Sequence, residues 1–168
     1  MNLIFSDESE RLTTEIRDLM HEAACAALDN EFEAELKSED LTSADLEAEI
    51  AVTVVSAEEI KEINSEYRGI DSTTDVLSFP QYEDHDMLWE DLSEGLEGAD
   101  TPIGDVVICY DKAVEQSEEY GTGITRELLY LFVHSVMHLL GYDHMNEDDK
   151  KVMREHEEKV LEAIGVSR

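Results

Sequence analysis

Apolar and polar residues alternate along the chain in patterns that predict four short strands. Between Leu46 and Val54 nearly every second residue is apolar, which is typical of a strand with one buried face. The run from Ile103 to Tyr110 is apolar almost throughout, as in a strand that is covered on both faces. Two shorter stretches, Leu3–Phe5 and Asp75–Phe79, have a similar character. The sequence therefore predicts a small sheet.

Between these strands, apolar residues recur at helical spacing. From Glu8 to Ala27 they fall every three or four positions, and the same period returns from Met153 to Ile164. Ser56 and Glu59 form the capping-box pattern that begins a helix. The most apolar helix is predicted in the stretch that starts at Leu128. These helices are expected to pack around the sheet.

Two acid-rich stretches lack a clear period. Residues 29–44 are predicted to form a solvated connection, and residues 81–101 a loop over the sheet whose role the sequence does not show. No repeat or linker divides the chain, so residues 1–168 are interpreted as a single domain. The predicted fold class is α+β: a small mixed sheet of about four strands, packed with helices around one central helix.

The stretch Leu128–His144 carries the strongest candidate chemistry. His134 and His138 stand four residues apart, so a helix places both imidazoles on one face. Gly141 can end that helix in the left-handed conformation, and the returning chain can bring His144 to the same point. Three histidines with an open fourth position are typical of a catalytic zinc site, so the central helix is predicted to bear a metal. The alternative is three core histidines, each satisfied by its own hydrogen bond. Without such partners, their burial would cost about 1–3 kcal/mol for each unsatisfied group.

Three blocks of the chain resemble a known family. Residues 134–144, H-S-V-M-H-L-L-G-Y-D-H, are similar to the H-G-x-L-H-L-x-G-Y-D-H signature of the YbeY family, bacterial metal-dependent endoribonucleases of ribosomal RNA maturation. The segment departs from the family form at Ser135 and Met137, neither of which is a ligand. Residues 64–80, which contain T-D-V-L-S-F-P, and the run I-G-D-V-V-I-C-Y at 103–110 resemble two further family blocks.

The resemblance implies a function and a set of site residues. It implies a single-strand-specific endoribonuclease of ribosomal RNA processing and ribosome maturation, whose partners are ribosomal RNA, the small ribosomal subunit and its factors. It implies one zinc ion per chain, held by the catalytic residues His134, His138 and His144. It further implies that Arg68 faces the metal cleft, where a guanidinium can hold two phosphate oxygens. The alternative for Arg68 is a surface arginine paired with a carboxylate.

Other functions stay open on the sequence alone. A zinc protease of the H-E-x-x-H type needs a glutamate after its first histidine, and this chain has Ser135 there. A metal-stabilised ribosome assembly factor with little catalysis, or a metal hydrolase of another substrate, would carry the same histidines. Asp143 can either orient a histidine or cap the turn. The remaining histidines, His21, His85 and His156, are expected at the surface or in packing positions.

The composition bears on the partners. The chain has 43 acidic and 12 basic residues and a formal net charge of −31, which predicts either adaptation to a high-salt interior or repulsion of generic polyanions. Few basic side chains can release counterions from RNA, and this counts against the RNA substrate. Cys25 and Cys109 have no metal or redox spacing and are interpreted as small core residues. No stretch has the length of a membrane span or the pattern of a leader, so a cytoplasmic location is expected.

Overall fold

The fold contains one mixed four-stranded sheet. We describe it from a computed structural model, for residues 1–95, 99–143 and 146–166. The strands are β1 (Asn2–Ser6), β2 (Ala48–Val55), β3 (Val76–Pro80) and β4 (Thr101–Cys109), and they lie in the order β1-β2-β4-β3. β1, β2 and β4 run parallel, whereas β3 pairs antiparallel with β4. The predicted α+β fold with a mixed sheet of about four strands is therefore confirmed.

Helices fill the connections between the strands. In the described part of the chain they are α1 (Thr14–Glu31), α2 (Glu33–Glu39), α3 (Ala57–Arg68), α4 (His85–Glu94), α5 (Tyr110–Tyr120), α6 (Ile124–Leu139) and α7 (Glu147–Ala163). The predicted capping box begins α3: the Ser56 backbone N–H donates to Glu59 Oε2 at 2.7 Å, and the Glu59 N–H donates to Ser56 Oγ at 3.4 Å. α1 begins later than its apolar period, because Thr13 supplies the cap.

The central helix of the fold is α6. It contacts α1, α5 and α7 as well as β3 and β4. Leu128, Leu129 and Phe132 are completely buried on it. A helix that is apolar nearly all round must be covered on all sides, and this accounts for its central place. None of the helices in the described ranges is both long and apolar enough to cross a membrane.

Gly104 allows α6 to approach the sheet closely. Its φ of +155° is one that residues with a side chain rarely adopt. A Cβ atom at this position would lie 2.4 Å from the carbonyl oxygen of Phe79 and 2.9 Å from Cδ2 of Leu139. Because both distances are shorter than real contacts, only glycine lets β3, β4 and the end of α6 come together here.

The prediction for residues 29–44 was wrong in part. Instead of an irregular solvated connection, the stretch contains α2 and a 3₁₀ turn at Ser43–Asp45. Phe32 is completely buried and Leu36 is 4% exposed, so both belong to the core. Two apolar residues among many acids give no visible period, yet four positions apart they lie on one face of a short helix.

The predicted loop at residues 81–101 also contains a helix, α4. Asp84 caps its first turn, accepting from the Met87 N–H at 3.0 Å. Leu88 and Leu92, one turn apart, are 1% and 3% exposed. The acidic residues of this stretch occupy the outer face and obscure the apolar pair in the sequence. Residues 96–98, which follow the helix, lie outside the described ranges.

Candidate metal centre

His134 and His138 come together near the C-terminal end of α6. Their ring centroids lie 4.7 Å apart and the ring planes are nearly perpendicular, at 89°. This is the arrangement that their four-residue spacing predicts on a helix face. The two imidazoles are therefore close enough to serve one metal ion together.

A buried carboxylate orients the His134 ring. His134 Nδ1 lies 2.7 Å from Oε1 of Glu157, whose side chain is only 4% exposed. A carboxylate accepts, so the ring donates its Nδ1 proton, and the lone pair lies on Nε2 when the ring is neutral. Such a carboxylate–histidine pair is a common support for a metal ligand, because it fixes the tautomer and the ring orientation.

A backbone carbonyl orients the His138 ring. Its Nδ1 lies 2.9 Å from the carbonyl oxygen of Tyr142. A carbonyl can only accept, so His138 also carries a proton on Nδ1, and its lone pair is on Nε2 when the ring is neutral. Both histidines thus have hydrogen bonds that select the neutral tautomer of a metal ligand, and this donor set fits zinc.

The turn after α6 brings the Tyr142 carbonyl into place. Gly141 has a φ of +92°, the Tyr142 N–H donates to the Met137 carbonyl at 3.0 Å, and the Gly141 N–H donates to the His138 carbonyl at 3.1 Å. This is the Schellman pattern that the glycine predicted.

His144 lies outside the described residues, and its role as the third ligand stays a prediction. Within the described ranges, no group of three histidine, cysteine, aspartate or glutamate side chains is arranged to hold a metal ion. The structure therefore brings together two of the three predicted ligands. Asp143 is exposed, and the two roles considered for it stay open.

The sequence did not reveal Glu157 as a member of the site. It lies on α7, four residues after Met153 and three before Val160, and all three side chains are buried. A carboxylate in the apolar stripe of a helix is expensive to bury unless it is paired. This position was the signal that could have identified Glu157.

A second set of hydrogen bonds connects the turn after α6 to neighbouring helices. The Tyr142 hydroxyl donates to Oε2 of Glu31 at 2.7 Å and lies 3.2 Å from Nδ1 of His156. Glu31 is also bound by His85 Nε2 at 2.8 Å. Burial, together with the Glu31 carboxylate, raises the pKa of Tyr142 above its ordinary value. Through these contacts Tyr142 joins the turn to α1, α4 and α7.

Arg68 is the last residue of α3 and lies beside strand β3. Its Nη2 donates to the carbonyl oxygen of Ser78 at 3.4 Å, and the side chain is exposed. Among the described residues, Arg68 forms no ion pair with a carboxylate. β3 packs against α6, the histidine helix. These contacts do not test its predicted role at the metal cleft.

The fold and the site narrow the class of protein before any comparison. A central helix of an α+β fold presents two adjacent imidazoles, with a carboxylate and a backbone carbonyl behind them, which are the supports that metal-ligating histidines use. The particular family follows from comparison with known sequences. The family model described as endoribonuclease YbeY matches residues 7–165. The chain therefore belongs to this family, as its three motif blocks predicted.

Individual relatives are similar over most of the chain. The endoribonuclease YbeY of Caldanaerobacter subterraneus subsp. tengcongensis is 51% identical over 122 residues, which cover 73% of this chain and 77% of that protein. The protein of the same name from Clostridium botulinum strain Alaska E43 is 46% identical over 149 residues, which cover 84% and 88% of the two chains. Among solved structures, the solution structure of TM1509 from Thermotoga maritima matches with a TM-score of 0.55. At 23% identity, it covers 96% of this chain and 90% of its own, and supports the fold alone.

Proposed function

We propose that this chain is a zinc-dependent endoribonuclease that cleaves single-stranded RNA during ribosomal RNA processing and ribosome maturation. The endoribonuclease class is confirmed by membership of the family. The observation that carries the metal dependence is the pair of imidazoles 4.7 Å apart, each with its Nδ1 directed at an acceptor. One zinc ion per chain would be held by His134, His138 and His144.

The residues around that ion would have different roles. When bound, zinc supplies a Lewis acid that polarises a phosphoryl oxygen and lowers the pKa of a bound water. When the two described imidazoles are neutral, Glu157 and the Tyr142 carbonyl hold the proton on Nδ1 and leave Nε2 as the donor atom. Arg68, exposed beside the strand that packs on α6, would bind the phosphate through its planar guanidinium.

The partners follow from this substrate. Ribosomal RNA, the small ribosomal subunit and its factors are the partners we propose, and the cytoplasm is the compartment in which they meet. The net charge of −31 opposes the approach of RNA at low salt. We therefore expect cleavage to be faster when salt screens the acidic surface than when it does not.

The test combines metal analysis with RNA cleavage on one untagged preparation. We expect about one zinc per chain by mass spectrometry, together with chelator-sensitive cleavage of a single-stranded RNA and none of the matching duplex. Bound zinc without cleavage at any salt concentration would instead indicate an assembly factor. A folded protein without metal, whose melting temperature does not change when zinc is added, would contradict the site itself.

The role of Arg68 has a separate test with a control on the same helix. Arg68→Ala is expected to retain zinc and lose about tenfold or more in kcat/KM, because a charge-assisted contact to phosphate is lost. Lys61→Ala removes the same charge from α3, where Lys61 pairs with Asp71 at 3.3 Å. Equal rates for the two variants would remove Arg68 from the site.

A further inference from the structure

A cavity of about 770 Å³ lies beside the histidine helix, where the end of α5 meets the first half of α6 and the middle of α7. Two tyrosines and two arginines are the side chains in its lining that matter here: Tyr120, Arg126, Tyr130 and Arg154. The proposed function gives this cavity no role.

Two helices place this cavity one turn away from the histidines. The Tyr130 ring lines the cavity and also stacks on His134, with centroids 6.2 Å apart and planes at 26°. Arg126, Tyr130, His134 and His138 follow each other at four-residue intervals, so they form one ridge along α6. On α7, Arg154 precedes Glu157 by three residues. One helical turn rises about 5.4 Å, so the cavity and the histidines are adjacent parts of one surface.

The charged side chains in its lining distinguish this cavity from three other surface cavities. Its two arginines balance two carboxylates, those of Asp75 and Glu127. The cavity of about 340 Å³ is lined by three carboxylates and no lysine or arginine. The cavity of about 520 Å³ has three carboxylates and one lysine, and the cavity of about 460 Å³ has four carboxylates and one lysine. On a chain with a net charge of −31, this neutral cavity therefore repels an anion less than the three acidic cavities do.

The two carboxylates of the cavity are already engaged. Asp75 Oδ2 accepts from the Gln116 side chain at 2.9 Å. Glu127 Oε1 accepts from the Thr122 hydroxyl at 2.6 Å and from Arg126 at 3.2 Å, and its side chain is 4% exposed. Asp75 is therefore held by a donor other than an arginine, whereas Glu127 accepts from Arg126 and has the Thr122 hydroxyl as its second donor.

Arg126 itself lacks one acceptor. Its Nε is buried and has no hydrogen-bond partner among the described residues. Buried donors are nearly always paired, so this nitrogen indicates an acceptor that the described residues do not supply. Arg154 is 62% exposed, and its Nε lies 3.8 Å from Glu158, beyond hydrogen-bond distance. The exposed Arg154 guanidinium can therefore bind phosphate oxygens, whereas Arg126, 17% exposed and paired with Glu127 through Nη1, lacks an acceptor only at Nε.

We propose that this cavity binds one nucleotide of the single-stranded RNA substrate, next to the cleaved phosphate. Its base would stack on a tyrosine ring, with Tyr120 the more exposed of the two at 63%, and its phosphate would be bound by Arg126 and Arg154. Stacking on aromatic rings accepts every base, and arginine matches the phosphate geometry, so the subsite favours single strands without a sequence preference. This inference rests on the proposed function and adds a place for the substrate.

The first test compares Arg154→Gln with Lys151→Gln. Both residues are exposed on α7, at 62% and 77%, each has a glutamate partner four residues later at 3.8 Å, and each variant removes one positive charge. Binding of a short fluorescein-labelled single-stranded RNA would be measured by anisotropy over a range of salt concentrations. We expect Arg154→Gln to weaken binding about tenfold and to reduce the slope of log K against log salt by about 0.7. Lys151→Gln is expected to match the wild type.

The second test examines stacking. Tyr120→Ala is expected to raise the Kd and the KM for cleavage by about tenfold, whereas Tyr120→Phe, which keeps the ring, should restore both. The wild-type reaction distinguishes failure of the nucleotide subsite from failure of the proposed nuclease function. If the wild type cleaves single-stranded RNA, but Arg154→Gln equals Lys151→Gln and Tyr120→Ala equals the wild type, the subsite is wrong and the nuclease stands. If the zinc-loaded wild type neither binds nor cleaves RNA at any salt concentration, both are wrong.

Discussion

Two carboxylate–histidine pairs of almost equal length occur in this protein, and they differ in which ring nitrogen is used. In the first pair His134 meets Glu157 through Nδ1 at 2.7 Å; in the second, His85 meets Glu31 through Nε2 at 2.8 Å. The first leaves Nε2 with the lone pair that a metal needs, and a second imidazole lies 4.7 Å away. In the second, Nε2 contacts the carboxylate, so a lone pair on the neutral ring lies on Nδ1 instead.

The surroundings of the two pairs reinforce this difference. Glu157 is 4% exposed and lies against the central helix, whereas Glu31 is 13% exposed and is shared with the Tyr142 hydroxyl. The His85 ring stacks on Phe32 at 4.7 Å, so the second pair ties α4 to α1. We therefore propose that the same two residue types support a metal ligand in one place and link two helices in the other.

The largest expected effect is the loss of the first pair's histidine. His134→Ala is expected to abolish stable zinc binding and RNA cleavage, because two imidazoles no longer share one ion. His85→Ala, the matched change in the second pair, should keep one zinc per chain and the wild-type kcat. Metal content by mass spectrometry and initial cleavage rates measure both. Loss of zinc from His85→Ala would break the distinction between the pairs.

The carboxylates should show the same contrast at a smaller magnitude. Glu157→Gln retains the shape of the side chain but loses its charge, and zinc affinity is expected to fall about 10–100-fold. Glu31→Gln should leave zinc affinity unchanged and lower only the free energy of unfolding. Competition with a zinc chelator gives the affinities, and urea denaturation gives the stabilities. Equal zinc affinities for the two variants would show that Glu157 does not support the ligand.

The smallest effect is expected at Tyr142, which contacts both groups. Its carbonyl accepts from His138, whereas its hydroxyl donates to Glu31. Tyr142→Phe keeps the carbonyl and removes the hydroxyl, so zinc affinity should stay the same while the free energy of unfolding falls by about 1.5–3 kcal/mol. A matched change at Tyr82, whose hydroxyl donates to Asp91 at 2.6 Å, tests whether any buried tyrosine hydroxyl gives this result. A drop in zinc affinity with Tyr142→Phe would show that the hydroxyl also positions the turn.

The sequence by itself determined the sheet, the central helix and two members of the site. Alternating and continuous apolar runs identified the strands, and the spacing of His134 and His138 placed both rings on one face of α6. The glycine at position 141 identified the turn. These features are local, because they depend on the period and conformational preferences of a few consecutive residues.

Tertiary structure alone decided what supports and surrounds those residues. Glu157 reaches His134 from another helix, 23 positions along the chain. Phe32 enters the core from a stretch whose acidic composition predicted a solvated connection. The arginines and tyrosines of the neutral cavity come from α5, α6 and α7, and are neighbours only once these helices pack. Such contacts depend on packing between segments distant in sequence, and no local period records which side chains will meet.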